Sequence, residues 1–473
     1  MVAAVLAIDQ GTTNTKAVLV DASGAVLASG SAPVGLSTPR PGWVEQDADE
    51  LWASVLAAVA SCLTPSAEIV GIALSTQRES IIGWDRRTGS AVGPVIGWQD
   101  VRTASWCSSL PASVDDLVRR RTGLRVDAMF SAPKLRWLLD ETSADRVGTI
   151  DSWLVHRLTG GREHLIEAGN ASRTLLYDVV DLAWSFELLD AFGIPVAVLP
   201  EVRPSDAGFG VTSGVPGLAD GIPIVAVLAD SHAAMYGQGC VRAGLVKATY
   251  GTGSSVMTPV DSFATDGCTL AWLTDRPTYA LEGNIVSSGA ALAWTASLLG
   301  LADVGALVEL AATVPSAEGV TLVPAFAGLG APHWDREARA ALSGMSSSTT
   351  RAHIARAAVD AVAHQICDIT ETLSVMQRLR ADGGATVSAL LMQTQADLLG
   401  RPVEVADVPE LSALGAAELA WTALGQPTGW AERRTYRTFE PGSNAGRDDR
   451  RTEWAAAVAS VTAGARDAST GRR

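Results

Sequence analysis

The stretch AIDQGTTNTKAVLVD, Ala7 to Asp21, decides how the rest of the chain is read. Two apolar runs flank Asp9 to Lys16, a segment that holds a carboxylate, amides, a glycine and three threonines. One reading is an ordinary polar turn between two strands. The other is a phosphate cradle, in which successive backbone N–H groups and hydroxyls wrap anionic oxygens. The pattern of the whole chain has to choose between them.

Working outward, residues 2–9, 15–21 and 24–29 read as three successive strands, the last two joined by the turn residues Asp21, Ser23 and Gly24. GWVEQDADELWASVLAAVASCL starts a helix, with Asp47 as N-cap and Glu50 three residues on, the spacing of a capping box. EIVGIALSTQ and PIVAVLAD are continuous apolar runs, as expected of central strands buried on both faces. After Gly244 the plan begins again, because LVKATYGTGSSVMTPV repeats strand, Gly/Thr turn, strand. Ile354, Ala358, Val362, Ile366, Ile369 and Leu373 share one helical face after Thr349 or Thr350 as cap. DGGATVSALLMQTQADLLG opens with glycines, continues as a helix and stops at Gly400. Strands alternating with helices predict an α/β chain of two similar halves, 1–242 and 243–473, with a cleft between them. From about Glu440 the sequence reads as a frayed terminal helix.

Bulk properties exclude several function classes. The chain has 473 residues, and its formal charge is 36 − 51 = −15. A surface that negative repels phosphate backbones, so neither nucleic acid nor an anionic membrane is the expected partner. The five cysteines include no C-x-x-C pair, which suits unpaired thiols in a reducing compartment rather than a disulfide framework or zinc site. MVAAVLAIDQ lacks a basic leader region, and no apolar stretch approaches the roughly 20 residues that span a bilayer. The expectation is a soluble cytoplasmic protein.

The familiar nucleotide loops are absent. Only three lysines occur (Lys16, Lys134, Lys247) and none follows a glycine, which rules out a Walker A loop. GTGSSV at Gly251 lacks the third glycine of a dinucleotide fingerprint, and there is no G-x-S-x-G elbow. Three Gly-rich points remain: Gly11–Thr13, Gly251–Gly253 and Gly383–Gly384. The first two sit at matching places in the two halves. The third lies at an expected helix start, where unpaired amides favour an anion. Together they favour a nucleotide cleft over three unrelated turns.

AIDQGTTNTKAVLVD, PGWVEQD, STQRES, VIGWQDVRT, LADSHAAMYGQG, KATYGTGSS, AFAGLGAPHWDREARAALSGMSSSTTRAHIARAAVDAVAHQ and DGGATVSALLMQTQADLLGRPVEV occur in this order from about residue 5, and ALGAAELA carries the match to about residue 425. In this the chain resembles the FGGY carbohydrate kinases, and within them the glycerol kinase branch. The resemblance implies two actin-like ATPase (ribonuclease H-like) α/β domains flanking a catalytic cleft. It implies ATP and Mg²⁺ as cofactors and a small polyol or sugar as substrate. By resemblance, Gly11, Thr12, Thr13, Asn14 and Lys16 hold the β- and γ-phosphates. Gly251 and Thr252 contact the phosphates from the second domain, and Gly289, Gly384 and Ser388 lie on the adenosine side. Asp230 matches the general base, and Asp9 the carboxylate that holds Mg²⁺ with Asp230, generally through water. Arg78, Glu79, Trp98, Met129, Asp230 and Ser231 match the substrate pocket. A homodimer or homotetramer would be compatible with all of this.

The residues support these roles on their own chemistry. Asp230 follows a buried run at the carboxyl end of a strand, where open α/β sheets place their ligands. A carboxylate there can take the proton of an attacking hydroxyl. Helix N-capping is its bland alternative. Arginine donates and glutamate accepts, so the pair at 78 and 79 can bracket vicinal hydroxyls, while a surface salt bridge is the default otherwise. Some residues depart from the glycerol kinase pattern: Met129 stands for a tyrosine, Ser231 for a glutamine and Ser255 for an aromatic residue, while Ala293 and Ser388 stand for amides. The first three remove bulk or polar partners around the hydroxyls and imply a pocket for a longer polyol or ketose. His232 and His333 read as structural. The competing function, an actin- or chaperone-like ATPase acting on a protein partner, explains the Gly/Thr turns but not Arg78, Glu79 or Trp98.

Overall fold

The computed structural model describes residues 1–373, 376–426, 428–443 and 446–470. By compactness the chain forms two units. The first comprises Met1–Val241, Val260–Leu281 and Val408–Arg433; the second comprises Arg242–Pro259, Glu282–Asp407 and the chain from Arg434 onward. The division is thus not a single cut into 1–242 and 243–473, since two later segments join the first unit.

The first unit is built on β1 (Val2–Gln10), β2 (Asn14–Asp21), β3 (Val26–Pro33), β4 (Ala67–Thr76) and β5 (Ile224–Ala229), in the order β5-β4-β1-β2-β3. β1, β4 and β5 are parallel, and β1, β2 and β3 form an antiparallel meander. The third strand begins later than its apolar pattern suggests. Asp21 Oδ1 accepts from Ser23 N at 2.8 Å and Ala25 N at 3.1 Å, so the turn consumes residues through 25. Helix α1 (Ala48–Cys62) is capped by Asp47, which accepts from Asp49 N and Glu50 N. The expected capping box does not close, because Glu50 Oε1 accepts from Gly35 N at 2.8 Å and ties down the chain after β3 instead. Leu51 and Val55 of α1 bury against Leu6, Ile8 and Leu19.

Close packing explains why the two later segments belong here. Helix Leu411–Ala423 lies against helix α2 (Asp230–Gly237) at glycines. A Cβ on Gly237 would lie 2.5 Å from Leu411 O and 3.0 Å from Gly415 Cα, and one on Gly415 would overlap Ala233 O. Trp421 Nε1 donates to Val20 O at 3.1 Å. In the segment 260–281, Leu270 buries with Ile166, Ala168 and Tyr177, and its carbonyl accepts from Ser172 Oγ at 3.1 Å.

The second unit repeats the plan. β6 (Gly244–Tyr250), β7 (Ser254–Val260), β8 (Met376–Asp382), β9 (Val403–Ala406) and β10 (Tyr436–Phe439) are five adjacent strands of a seven-stranded sheet, in the order β7-β6-β8-β9-β10. β6, β8 and β9 are parallel, with β7 antiparallel to β6 and β10 to β9. Helix α3 (Gly289–Leu298) follows the sheet's first hairpin in sequence. Helix α4 (Arg351–Thr370) starts after Thr350, whose N–H donates to His353 Nδ1 at 3.1 Å. It buries Ala358, Val362, Ile366 and Ile369, as its spacing predicts.

The terminal segment is not frayed where its side chains are described. In the helix Arg447–Thr470, Arg451 Nη2 donates to Asp368 Oδ1 at 2.7 Å and its Nε to Glu371 Oε1 at 2.9 Å. Trp454 is 2% exposed, donates to Asp368 Oδ2 at 2.8 Å and stacks on His364. Long-range ion pairs anchor this helix to α4, which local composition could not reveal.

Candidate active site

In the first unit the sheet register assembles the carboxyl ends of three parallel strands. Asp9 lies opposite Lys16 on β2 and Ser75 on β4, while Ala229, the last residue of β5, pairs with Thr76. Asp230 is the next residue and opens α2. Its Oδ1 accepts from Ser231 N at 2.6 Å and lies 3.8 Å from Arg78 Nε. The carboxylate is therefore first in the helix and, at 34% side-chain exposure, still reachable by a ligand.

Between β1 and β2, Gly11, Thr12 and Thr13 turn the chain. Gly11 N donates to Asn14 O at 3.0 Å. All three carbonyls of the turn are tied back: Gly11 O by Gln10 Nε2 at 2.7 Å, Thr12 O by Gln46 Nε2 at 2.8 Å and Thr13 O by Val34 N at 2.9 Å. Gln77 Nε2 links Gln10 Oε1 and Gln46 Oε1, each at 3.0 Å. With its carbonyls committed behind it, the turn can offer amides and threonine hydroxyls to an anion. Lys16 Nζ pairs with Glu410 Oε2 at 2.6 Å.

Arg78 and Glu79 follow β4 and are buried, so the surface-salt-bridge alternative does not hold. Arg78 Nε lies 3.8 Å from Glu79 Oε1, and Arg173 Nε donates to the same oxygen at 2.6 Å. Trp98 is held at both ends: its N–H donates to Ser80 Oγ and its Nε1 to Thr12 Oγ1, each at 3.0 Å. At 37% exposure its ring can cover a ligand's carbon chain. Met129 is half-buried against the cluster of Ile81, Ile96 and Phe130. Its carbonyl accepts from Lys134 Nζ at 2.6 Å, and the same ammonium reaches Gly97 O at 3.2 Å. Burial brings the Lys134 pKa down to about 7.

Sequence reasoning missed Gln10, Gln46, Ser75, Gln77, Lys134, Arg173 and Glu410. The only available signal was for Lys134, one of three lysines in the chain.

In the second unit, the turn after β6 is bonded from Gly251 N to Gly253 O at 2.9 Å. Helix α3 starts directly against it. Gly289 N donates to Gly251 O at 3.0 Å, and a Cβ there would lie 2.5 Å from that oxygen. Gly383, at φ 95, packs equally closely on Tyr250 O. The structure thus brings Gly251, Thr252, Gly289 and Gly383–Gly384 together. One expectation is corrected: the glycine pair does not start the long helix. Gly384 opens a 3₁₀ turn, Gly384–Val387, and Ser388 caps helix α5 (Ala389–Leu399) by accepting from Leu391 N at 3.1 Å. Thr386 closes that turn on Gly383 O, which delays the helix by one turn. A Cβ at Gly384 would meet nothing within 4 Å, so this backbone is open to a flat ligand.

Two consecutive family models match. Residues 4–237 match the N-terminal domain of the FGGY family of carbohydrate kinases and residues 246–424 its C-terminal domain. The chain belongs to the FGGY family of carbohydrate kinases. Its relatives include a glycerol kinase of Acinetobacter baylyi, 44% identical over 96% of this chain and 98% of that one. An apulose kinase of Pectobacterium atrosepticum is also 44% identical, over 89% of this chain and 90% of its own length. Among solved structures, Plasmodium falciparum glycerol kinase with ADP superposes with a TM-score of 0.90 at 29% identity, covering 97% of this chain and 98% of that one. The two α/β units are therefore of the actin-like ATPase type, and the chain is a phosphotransferase with an alcohol group as acceptor. No helix among the described residues is long and apolar enough to cross a membrane.

The donor set of this FGGY kinase suits magnesium. Among the described residues no three acidic, histidine or cysteine side chains cluster as a metal cage. Asp9 and Asp230 supply two carboxylates, the number Mg²⁺ commonly takes while keeping several waters. Asp9 is a buried carboxyl close enough to Asp230 to feel its charge. Burial pushes its pKa up to about 7 and the Asp230 charge adds to the rise, against the Ser75 hydroxyl (2.6 Å) and Lys16.

That shift has a signed consequence for stability. The reference value is 3.8, so Asp9 holds its proton more tightly in the folded state. Its contribution is full below pH 4 and is lost as pH rises through about 7. Asn escapes this cost. Metal-free Asp9→Asn protein should therefore exceed wild type at pH 8 by on the order of 1–3 kcal/mol, a gap that closes as pH falls towards 4. Mg²⁺ should raise the melting temperature of wild type at pH 8 and not that of the variant. A gap independent of pH in denaturant titrations would contradict this account of Asp9.

Proposed function

We propose that this kinase transfers the γ-phosphoryl group of ATP to a primary hydroxyl of a polyol or ketose longer than glycerol, with Asp230 as general base. The observation that carries the reading is the set Asp230, Arg78, Glu79 and Trp98 beside the 11–13 turn, at the carboxyl ends of β1, β4 and β5. Arg78 donates to the acceptor's hydroxyls, Glu79 accepts from them, and the Trp98 ring packs on the carbon chain. Asp230 takes the hydroxyl proton as the oxygen bonds to phosphorus and the bond to the ADP oxygen breaks. In this reading Gly11, Thr12, Thr13, Asn14 and Lys16 of the first unit, and Gly251 and Thr252 of the second, bind the phosphates. Gly289, Gly384 and Ser388 bind the adenosine side. Asp9 and Asp230 would hold Mg²⁺ through its waters, and the ion would neutralise charge on the phosphate oxygens.

Met129, Ser231 and Ser255 argue for the longer acceptor, since each lacks the bulk or polar reach that glycerol kinases place around three carbons. Equal identity to a glycerol kinase and to an apulose kinase agrees with a sequence that does not dictate glycerol. Coupled ADP release over glycerol, erythritol, xylitol, D-xylulose and D-ribulose tests this. The best five-carbon acceptor is expected to exceed glycerol in kcat/KM by about tenfold or more, the worth of one or two well-placed contacts. Glycerol as the best acceptor would refute it.

A further inference from the structure

Arg173 is a buried charge with no part in the chemistry above. It follows the short helix Ala168–Ser172 and donates its Nε to Glu79 Oε1 at 2.6 Å, the side chains being 2% and 5% exposed. Its guanidinium carbon lies 5.1 Å from the centre of the Phe130 ring. Glu79 itself is in an uncommon conformation. At φ 61 it occupies the left-handed region, which costs a non-glycine residue energy. Ser80 N donates to Arg78 O at 2.7 Å across it, a three-residue turn of the strained kind. Such strain persists only where surroundings over-determine it, and it gathers at ligand sites. Here Ser131 Oγ holds Glu79 O at 3.1 Å, and Arg173 holds the carboxylate.

Charge compensation alone does not explain the contact. Arg78 already lies 3.8 Å from the same carboxylate oxygen, and Lys134 feels the Glu79 charge. What Arg173 adds is a short, directed hydrogen bond from behind the turn, to one named oxygen. A charge-assisted bond of that length fixes orientation as well as charge.

We propose that Arg173 is a positioning residue for the acceptor: it fixes Glu79 Oε1, so that Oε2 is held for a substrate hydroxyl. The proposal rests on the reading of Glu79 as an acceptor ligand.

The test compares E79Q, R173M, R173K and E79Q/R173M in the full-length enzyme, with glycerol and D-xylulose as acceptors. R173M is expected to raise the acceptor KM about 10- to 100-fold, the cost of a misplaced binding group, with the KM for ATP within about twofold. R173K should recover part of the loss. The double variant should be little worse than E79Q, because the two residues act as one unit. If E79Q leaves the acceptor KM unchanged, the reading of Glu79 fails and takes this proposal with it. If E79Q raises the KM while R173M and R173K do not, only the role of Arg173 is overturned. Should R173M not fold, R173K decides alone: an acceptor KM equal to wild type would overturn the proposal.

Discussion

Asp230→Asn is expected to lower kcat by about 10²–10⁴-fold while ATP binding survives, the usual worth of a positioned base. The geometry makes this substitution a clean one. Asp230 Oδ1 accepts from Ser231 N at 2.6 Å, and an asparagine carbonyl can accept the same bond, so the start of α2 should persist. The strand β5 pairs with β4 in unbroken register from Ala226 to Ala229 and runs straight into α2. The lost charge also relieves Asp9, whose pKa is raised in part by Asp230, so the metal-free variant should be no less stable than wild type at neutral pH. Near-normal turnover in Asp230→Asn, with unchanged melting, would remove the base from residue 230. Loss of ATP affinity equal to the loss of turnover would make the residue a nucleotide ligand instead.

Gly415→Val should have the largest effect on folding. Helix Leu411–Ala423 crosses α2 where Gly415 meets the Ala233 carbonyl and the Gly237 amide, and a Cβ would lie inside both atoms' contact radii. The obstacle is backbone on both sides, so no rotamer change can absorb it. Overpacking of this kind costs about 3 kcal/mol or more, which corresponds to a fall in melting temperature on the order of 5–10 °C. Because α2 begins at Asp230, the displaced helix should also move that carboxylate and reduce kcat in whatever protein remains folded. Gly425→Ala is the control. At φ 79 it bears a left-handed penalty of about 1–2 kcal/mol but meets nothing within 4 Å, so it should melt well above Gly415→Val. Equal melting of the two variants would mean that the helix contact is not as close as described.

How much of this was legible in the sequence follows from how local each signal is. The Gly/Thr turns, the buried runs of β4 and β5 and the Asp47 cap depend on residues a few positions apart, and all three lie where periodicity and capping chemistry put them. Asp230 was readable for the same reason, as a carboxylate at the end of an apolar run. Arg173, Gln46 and Gln77 were not, because each acts on a partner 30 to 100 residues away: Arg173 on Glu79, Gln46 on Thr12, Gln77 on Gln10. The return of residues 408–433 to the first unit was hidden likewise. ALGAAELA shows a helix of small residues, but not that Gly415 pairs with α2. The terminal helix misled in the opposite direction. Its mixed charges suggest a solvated end, whereas the Arg451 guanidinium pairs with Asp368 and the Trp454 indole N–H donates to the same carboxylate. Gly384 was misplaced by one turn because Ser388, not a glycine, caps α5 by accepting from Leu391 N.

As a carbohydrate kinase, the enzyme should phosphorylate its acceptor rather than merely turn over ATP. The most direct measurement follows ADP and phosphorylated acceptor together by ³¹P NMR, with and without D-xylulose or glycerol, in the presence of Mg²⁺. One phosphate ester per ADP is expected, with only slow ADP formation when no acceptor is present. ADP formed at the same rate without acceptor, with free phosphate as the other product, would contradict it.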